Sequence, residues 1–209
     1  MPVRRAVLFD LLTALLDSWT VWDRAAGSRE AGRRWRGAYL ELTYGCGAYR
    51  PYETLVREAA TAVGLPAGSA GALEDAWAEL APWDDAREVL ERLATRYRLG
   101  VVTNCSEKLG RRAARSVAVP FEVIVTSERA GFYKPDPAPY KLALRELGLE
   151  ANEVFFVAGS GFDLIGTAAV GMPTLWHNRA GIARPSRAPM PLAERPSLRE
   201  LLPFLMEER

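Results

Sequence analysis

Val7-Leu8-Phe9-Asp10-Leu11-Leu12 is a short apolar run interrupted by one acid. Val7, Leu8 and Phe9 do not alternate with polar residues. They read as a strand buried on both faces, as in a parallel sheet covered by helices. Asp10 then stands where that strand leaves the sheet. Burying an unpaired carboxylate costs several kcal/mol, so the position needs a reason. Ligands of open parallel sheets bind beyond the carboxyl ends of the strands. Asp10 is therefore a candidate reacting group, with a turn or helix cap as its other reading.

The 209 residues suffice for one domain with a large core, or for a core and a small accessory domain. Apolar residues make up 49% and charged residues 25%, the balance of an ordinary globular chain. A net charge of +1 argues against a general nucleic-acid binder, although Arg33-Arg34-Trp35-Arg36 is locally basic. Cys46, Cys105 and the one histidine, His177, form no metal-type spacing, which excludes a zinc site of that kind. No apolar stretch approaches the roughly 18 to 20 residues of a membrane span. The expectation is a chain without signal peptide or transmembrane segment, in a reduced, cytoplasmic setting.

Outward from Asp10 the pattern changes. Residues 17–81 read as helices with short breaks: Trp35, Tyr39, Leu42 and Thr43 recur at helical spacing, as do Leu55, Ala59 and Val63. Gly45-Cys46-Gly47 and Gly64-Leu65-Pro66 interrupt them. A new helix starts after Pro82-Trp83-Asp84-Asp85. Strands then alternate with helices: strands over 98–104, 121–125, 153–157 and 173–176, helices over 107–117, 138–147 and 162–170. The pattern predicts an α/β fold with a Rossmann-like parallel sheet flanked by helices on both faces. The proline-rich stretch 184–196 is expected to be an extended surface segment, with a last helix near 198–206.

Polar residues follow the strand ends: Asp10, Thr103-Asn104, Lys134 in the stiff Tyr133-Lys134-Pro135-Asp136-Pro137 loop, and the turn from Ser160 to Asp163. In a right-handed parallel sheet these loops converge on one crevice. Tyr140, Phe162 and Tyr52 are candidates to line it, or to belong to the core. His177 is expected to be structural.

The ordered set Phe9-Asp10, Thr103-Asn104, Lys134-Pro135 and the glycine-rich turn ending in Asp163 resembles the haloacid dehalogenase (HAD) superfamily. Trp35-Arg36 with Leu40-Glu41 and Thr43, Lys134-Pro135-Asp136 with Tyr140, and Trp176-x-Asn178-Arg179-x-Gly181 are similar to the L-2-haloacid dehalogenase branch. The resemblance implies a core domain of residues 1–16 and 82–209 with a helical cap of residues 17–81. It implies Asp10 as nucleophile on a small 2-haloacid through an ester, Lys134 as its cationic partner and Arg36 as receiver of the halide. Asp163 would pair with Lys134 or orient the hydrolytic water. Thr103, Asn104, Tyr140, Ser160, Leu12 and Phe162 would contact a small carboxylic acid. No cofactor, nucleic acid or membrane is implied, and a homodimer is allowed.

Two groups of departures bear on the reaction. Phosphatases of the superfamily carry acids where this chain has Leu12 and Gly159, and the first of these protonates the leaving oxygen while the second binds magnesium. Leu12 cannot transfer a proton, and Asp10 with Asp163 makes a poor octahedral set. Dehalogenases of the branch place Tyr-Gly-Thr where this chain has Leu12-Thr13-Ala14, and Asn where it has Ser160. Thr13 thus puts a β-branched residue where glycine permits an unusual backbone. The sequence reading favours a metal-independent dehalogenase. Its alternatives are a Mg2+-dependent phosphatase with a degraded metal site, and a catalytically silent HAD-fold binding protein.

Overall fold

The computed structural model describes residues 3–206, so the outermost residues of the expected core segments, 1–2 and 207–209, lie outside the described ones. Strands β1 (Ala6–Asp10), β2 (Arg98–Thr103), β3 (Val123–Thr126), β4 (Val154–Ala158), β5 (Thr174–His177) and β6 (Glu194–Arg195) form one sheet in the order β3-β2-β1-β4-β5-β6. Every neighbouring pair is parallel. The order reverses between β1 and β4, which opens the crevice where doubly wound sheets bind ligands.

All five residues of β1 are buried. Val7 and Phe9 join Leu99 and Val101 in one apolar cluster, while Ala6 and Leu8 join Val102 in the other. Two-sided burial is why the run shows no alternation. Helices follow the chain as α1 (Ser18–Ala25), α2 (Arg29–Gly45), α3 (Tyr52–Ala62), α4 (Ser69–Asp75), α5 (Ala86–Ala94), α6 (Glu107–Ser116), a single turn α7 (Ser127–Ala130), α8 (Pro137–Leu147), α9 (Asp163–Ala169) and α10 (Leu198–Met206). Helices α5, α6 and α10 supply the cluster on one face, and α8 and α9 that on the other. Asp136 caps α8 through the Ala138 amide at 2.7 Å, and Gly148 ends it at φ 62°, where a side chain would be strained.

Between β1 and α5 lie only helices and a 3-10 turn, Ala76–Glu79. Their core is aromatic: Trp22 stacks at a tilt on Trp35 with centroids 4.7 Å apart, and Tyr39 meets Tyr52 edge-on at 5.4 Å. The fully buried Trp35 sends its Nε1–H to the Val56 carbonyl at 2.9 Å. Trp77 likewise donates to the Leu109 carbonyl at 3.0 Å, tying the helical insertion to α6. Burying each such ring stabilises the fold by about 2–3 kcal/mol.

The structure differs from the sequence reading in four places. Leu11–Leu15 forms one π-helical turn directly after β1. Thr13 needs no left-handed backbone there: Ala118 is the one non-glycine residue with positive φ among the described residues. Strand β3 begins at Val123 rather than Phe121, because Glu122 turns outward to the Arg98 guanidinium at 2.5 Å. The extended segment 184–196 contributes a two-residue edge strand, β6, and the single turn α7 was not foreseen.

Candidate active site

Asp10, Lys134 and Asp163 form a buried ionic triad at the crevice. They are 6%, 5% and 2% exposed. Lys134 Nζ lies 2.8 Å from Asp10 Oδ1 and 2.9 Å from Asp163 Oδ1. The π-helical turn wraps the other oxygen: Asp10 Oδ2 accepts from the amides of Thr13 at 2.8 Å and Ala14 at 3.2 Å, and from the Thr13 hydroxyl. Burial opposes ionisation of Asp10, but the Lys134 charge and these hydrogen bonds outweigh it and hold the carboxyl below its ordinary range. Burial also opposes the Lys134 charge, yet the two carboxylates keep its pKa raised. Burial, with repulsion from Asp10, pushes Asp163 above its ordinary value despite Lys134.

Each member is held by a second layer. Asn104 clamps the Lys134 loop: its Oδ1 accepts the Lys134 amide at 2.7 Å and the Ser127 hydroxyl at 2.8 Å, and its Nδ2 donates to the Lys134 carbonyl at 3.0 Å. Tyr140 donates to Asp163 Oδ1 at 2.8 Å from beneath. Its ring occupies space that a side chain at Gly166 would take. Asp163 Oδ2 is buried and has no hydrogen-bond partner among the described residues.

Above the triad is a cavity of about 120 Å3. Asp10, Lys134, Asp163, Arg36, Asn104, Leu12, Ser160 and Phe162 all reach it, as does the buried Tyr52. Its remaining walls are largely aromatic, with Trp19, Tyr39 and Tyr44 from the helical insertion. Arg36 is held by the Ser18 hydroxyl at 2.9 Å and by the Trp19 ring, whose centroid is 4.1 Å from the guanidinium carbon. Among the described residues no carboxylate neutralises it by direct contact, so it presents a positive charge to the cavity.

Two expected substrate contacts are corrected. Thr103 is fully buried and does not line the cavity, because its methyl packs toward Gly110 of α6. Tyr140 is fully buried below the cavity, where its hydroxyl is spent on Asp163. Asn104 reaches the cavity, but two of its side-chain hydrogen bonds hold the Lys134 backbone and a third holds Ser127. Asp163 begins α9 without making a side-chain cap bond, which leaves its carboxylate to Lys134 and Tyr140. His177 is structural as expected, donating from Nδ1 to the Ala14 carbonyl at 2.8 Å. Sequence reasoning missed Thr13 as a partner of Asp10, and it missed Trp19, Tyr39 and Tyr44 as cavity walls. Aromatic residues on amphipathic helices carry no signal that separates a wall from a core.

The residues do not fit a magnesium ion. The Lys134 ammonium stands between the two carboxylates. A Cβ at Gly159 would overlap the Thr13 side chain and the Ala14 amide, so no acid fits there without moving the π-helical turn. Leu12 adds an apolar wall where an oxygen ligand would be needed.

Comparison with known proteins agrees with this geometry. A family model described as haloacid dehalogenase-like hydrolase matches residues 69–177, just over half the chain. The chain belongs to the haloacid dehalogenase-like hydrolases. Within that family it is similar to the L-2-haloacid dehalogenase branch. It is 30% identical over 194 residues to (S)-2-haloacid dehalogenase 4A of Burkholderia cepacia, covering 85% of this chain and 84% of that one. It is 28% identical over 198 residues to an (S)-2-haloacid dehalogenase of Pseudomonas sp. (strain YL), covering 87% and 85%. A solved dehalogenase with an intermediate complex superposes with a TM-score of 0.87 at 28% identity, covering 100% of both chains. This hydrolase therefore shares the sheet, the inserted helices and their connection with enzymes named as dehalogenases.

Proposed function

We propose that this hydrolase is a metal-independent haloacid dehalogenase acting on a small 2-haloacid, with residues 17–81 as a cap over a core of 1–16 and 82–209. One observation carries the reading: a buried carboxylate at the β1 exit is paired with an ammonium and faces a small, largely apolar cavity. The hydrogen bonds of Asp10 divide its labour. Oδ1, touched by Lys134 alone, attacks the halogen-bearing carbon; the carbon–oxygen bond forms as the carbon–halogen bond breaks. The halide leaves toward Arg36, and the apolar walls keep bulk water from competing.

The second half hydrolyses the ester. Asp163 Oδ2 takes a proton from water, whose oxygen attacks the Asp10 carboxyl carbon. The charge that develops on Oδ2 falls on the Thr13 and Ala14 amides and the Thr13 hydroxyl, which already point at it. Collapse breaks the bond from the carboxyl carbon to Oδ1. The departing alkoxide takes the proton of the re-formed Asp10 carboxyl, and Asp163 returns its proton to solvent. The product is a 2-hydroxy acid, carrying the original Oδ1 as its new hydroxyl oxygen.

Incubation with 2-chloropropionate or chloroacetate, without added metal, is expected to release halide. Asp10→Asn removes the nucleophile and should show none above background. Absence of release from the wild-type chain, or turnover of p-nitrophenyl phosphate that requires magnesium, would reject the reading.

A further inference from the structure

Ester hydrolysis needs a water held beside Asp163, and the core supplies only part of its site. Asp163 Oδ2 is a buried acceptor without a partner among the described residues, and Asp163 borders the cavity. A buried acceptor of this kind is costly unless something donates to it. Two hydroxyls border the same cavity. Ser160 lines the cavity and accepts the Phe162 amide at 3.3 Å, which leaves its proton free to be directed elsewhere. Tyr44, in the last turn of α2, reaches the cavity from the opposite wall. Its ring lies on Phe162 with centroids 4.6 Å apart, and its hydroxyl faces Ser160. Burial and then the charge of Asp163 keep that phenol protonated, so it is a donor at any working pH.

We propose that Tyr44 is a water-positioning residue of the hydrolysis step: with Ser160 it holds the attacking water against Asp163 Oδ2, so the ester is cleaved only with the end of α2 seated on the 160–162 turn. The inference rests on the dehalogenase reading and adds a role to the cap. Arg36 would serve the first half-reaction and Tyr44 the second, both from the same helix. Neither residue moves a proton in this scheme. The water gives one proton to Asp163; the Tyr44 hydroxyl donates to the water oxygen and Ser160 accepts its second O–H, which leaves one lone pair for the ester carbon.

The two half-reactions can be separated by quenching during turnover of 2-chloropropionate and weighing the intact protein. Tyr44→Phe keeps the ring on Phe162 and removes only the hydroxyl. The expected result is a burst of one halide per enzyme at the wild-type rate, then steady-state release slowed about tenfold, with most of the protein carrying the mass of the 1-carboxyethyl ester of Asp10. Ser160→Ala should accumulate the same adduct, and it carries the test should the Tyr44 variant not fold. Wild-type hydrolysis rates with no extra adduct in either variant would overturn the proposal. Loss of the burst together with turnover would also overturn it, since Tyr44 would then act before the ester forms. Silence of the wild-type chain itself would instead defeat the underlying dehalogenase reading.

Discussion

The sheet edge and helix α2 face the same cavity, but they hold their functional groups in different ways. Asp10, Lys134 and Asp163 are almost fully buried and share short ion pairs, backed by two backbone amides and by Asn104 and Tyr140. Arg36 has one hydrogen bond, to Ser18, and two indole faces. Tyr44 rests on the Phe162 ring, with its hydroxyl toward Ser160. The core groups are fixed because a buried charge with a misplaced partner costs several kcal/mol. The α2 groups lie on side chains that can shift without breaking a buried pair. In the proposed reaction the fixed side makes and breaks bonds, and the looser side receives the anion and closes the space.

That contrast predicts unequal costs. Lys134→Met leaves Asp10 and Asp163 facing each other without a cation. Denaturant unfolding should show a loss of about 3–5 kcal/mol, the scale of a broken buried pair, with halide release lost as well. Thr13→Val keeps the volume and removes the hydroxyl on Asp10 Oδ2. Turnover should fall about 10²–10³-fold, as when one oxyanion donor is lost, while Thr13→Ser retains most of it. Arg36→Ala should lower kcat/KM about 10–100-fold, the scale of one charge-assisted contact, and leave the melting temperature nearly unchanged. A large stability loss at Arg36, or a small one at Lys134, would break the comparison.

The pH profile gives the smallest and most graded test. Asp163 must be ionised to take a proton from water, and its pKa is raised above 3.8, so activity is lost as pH falls through that raised value. Lys134 must be protonated, and its pKa is raised above 10.5, so activity is lost as pH rises through that higher value. Stability follows the same sign at the alkaline end. The contribution of Lys134 is full below 10.5 and is lost as pH rises through its higher folded value. Asp10, whose pKa is depressed, stabilises the fold above 3.8 and stops doing so as pH falls through its lower folded value. The rate profile of kcat/KM and a urea series at several pH values check these limits.

Much of this was legible in the sequence because two-sided burial writes a continuous apolar run. Val7-Leu8-Phe9 marked the central strand, and the acid after it marked the crevice. The convergence of Lys134 and Asp163 on Asp10 followed from right-handed crossovers alone. Facing was harder to read. Thr103 and Asn104 are adjacent at a strand end, and the one-residue offset that turns Asn104 to the site turns Thr103 into α6. Tyr140, read as cavity lining or core, lies in the layer beneath the cavity, where its hydroxyl serves Asp163. The π-helical turn left no trace, because five residues are too few to show a period. That turn converts the departure at Thr13 into a hydrogen bond on Asp10 and a plug beside Gly159.

The central claim is that an oxygen of Asp10 ends up in the product. A single turnover in water enriched in oxygen-18, with enzyme in excess over 2-chloropropionate, tests it directly. The account predicts unlabelled lactate and one heavy oxygen in the peptide that contains Asp10. Labelled lactate with an unlabelled peptide would mean that water attacks the substrate itself, and would contradict it.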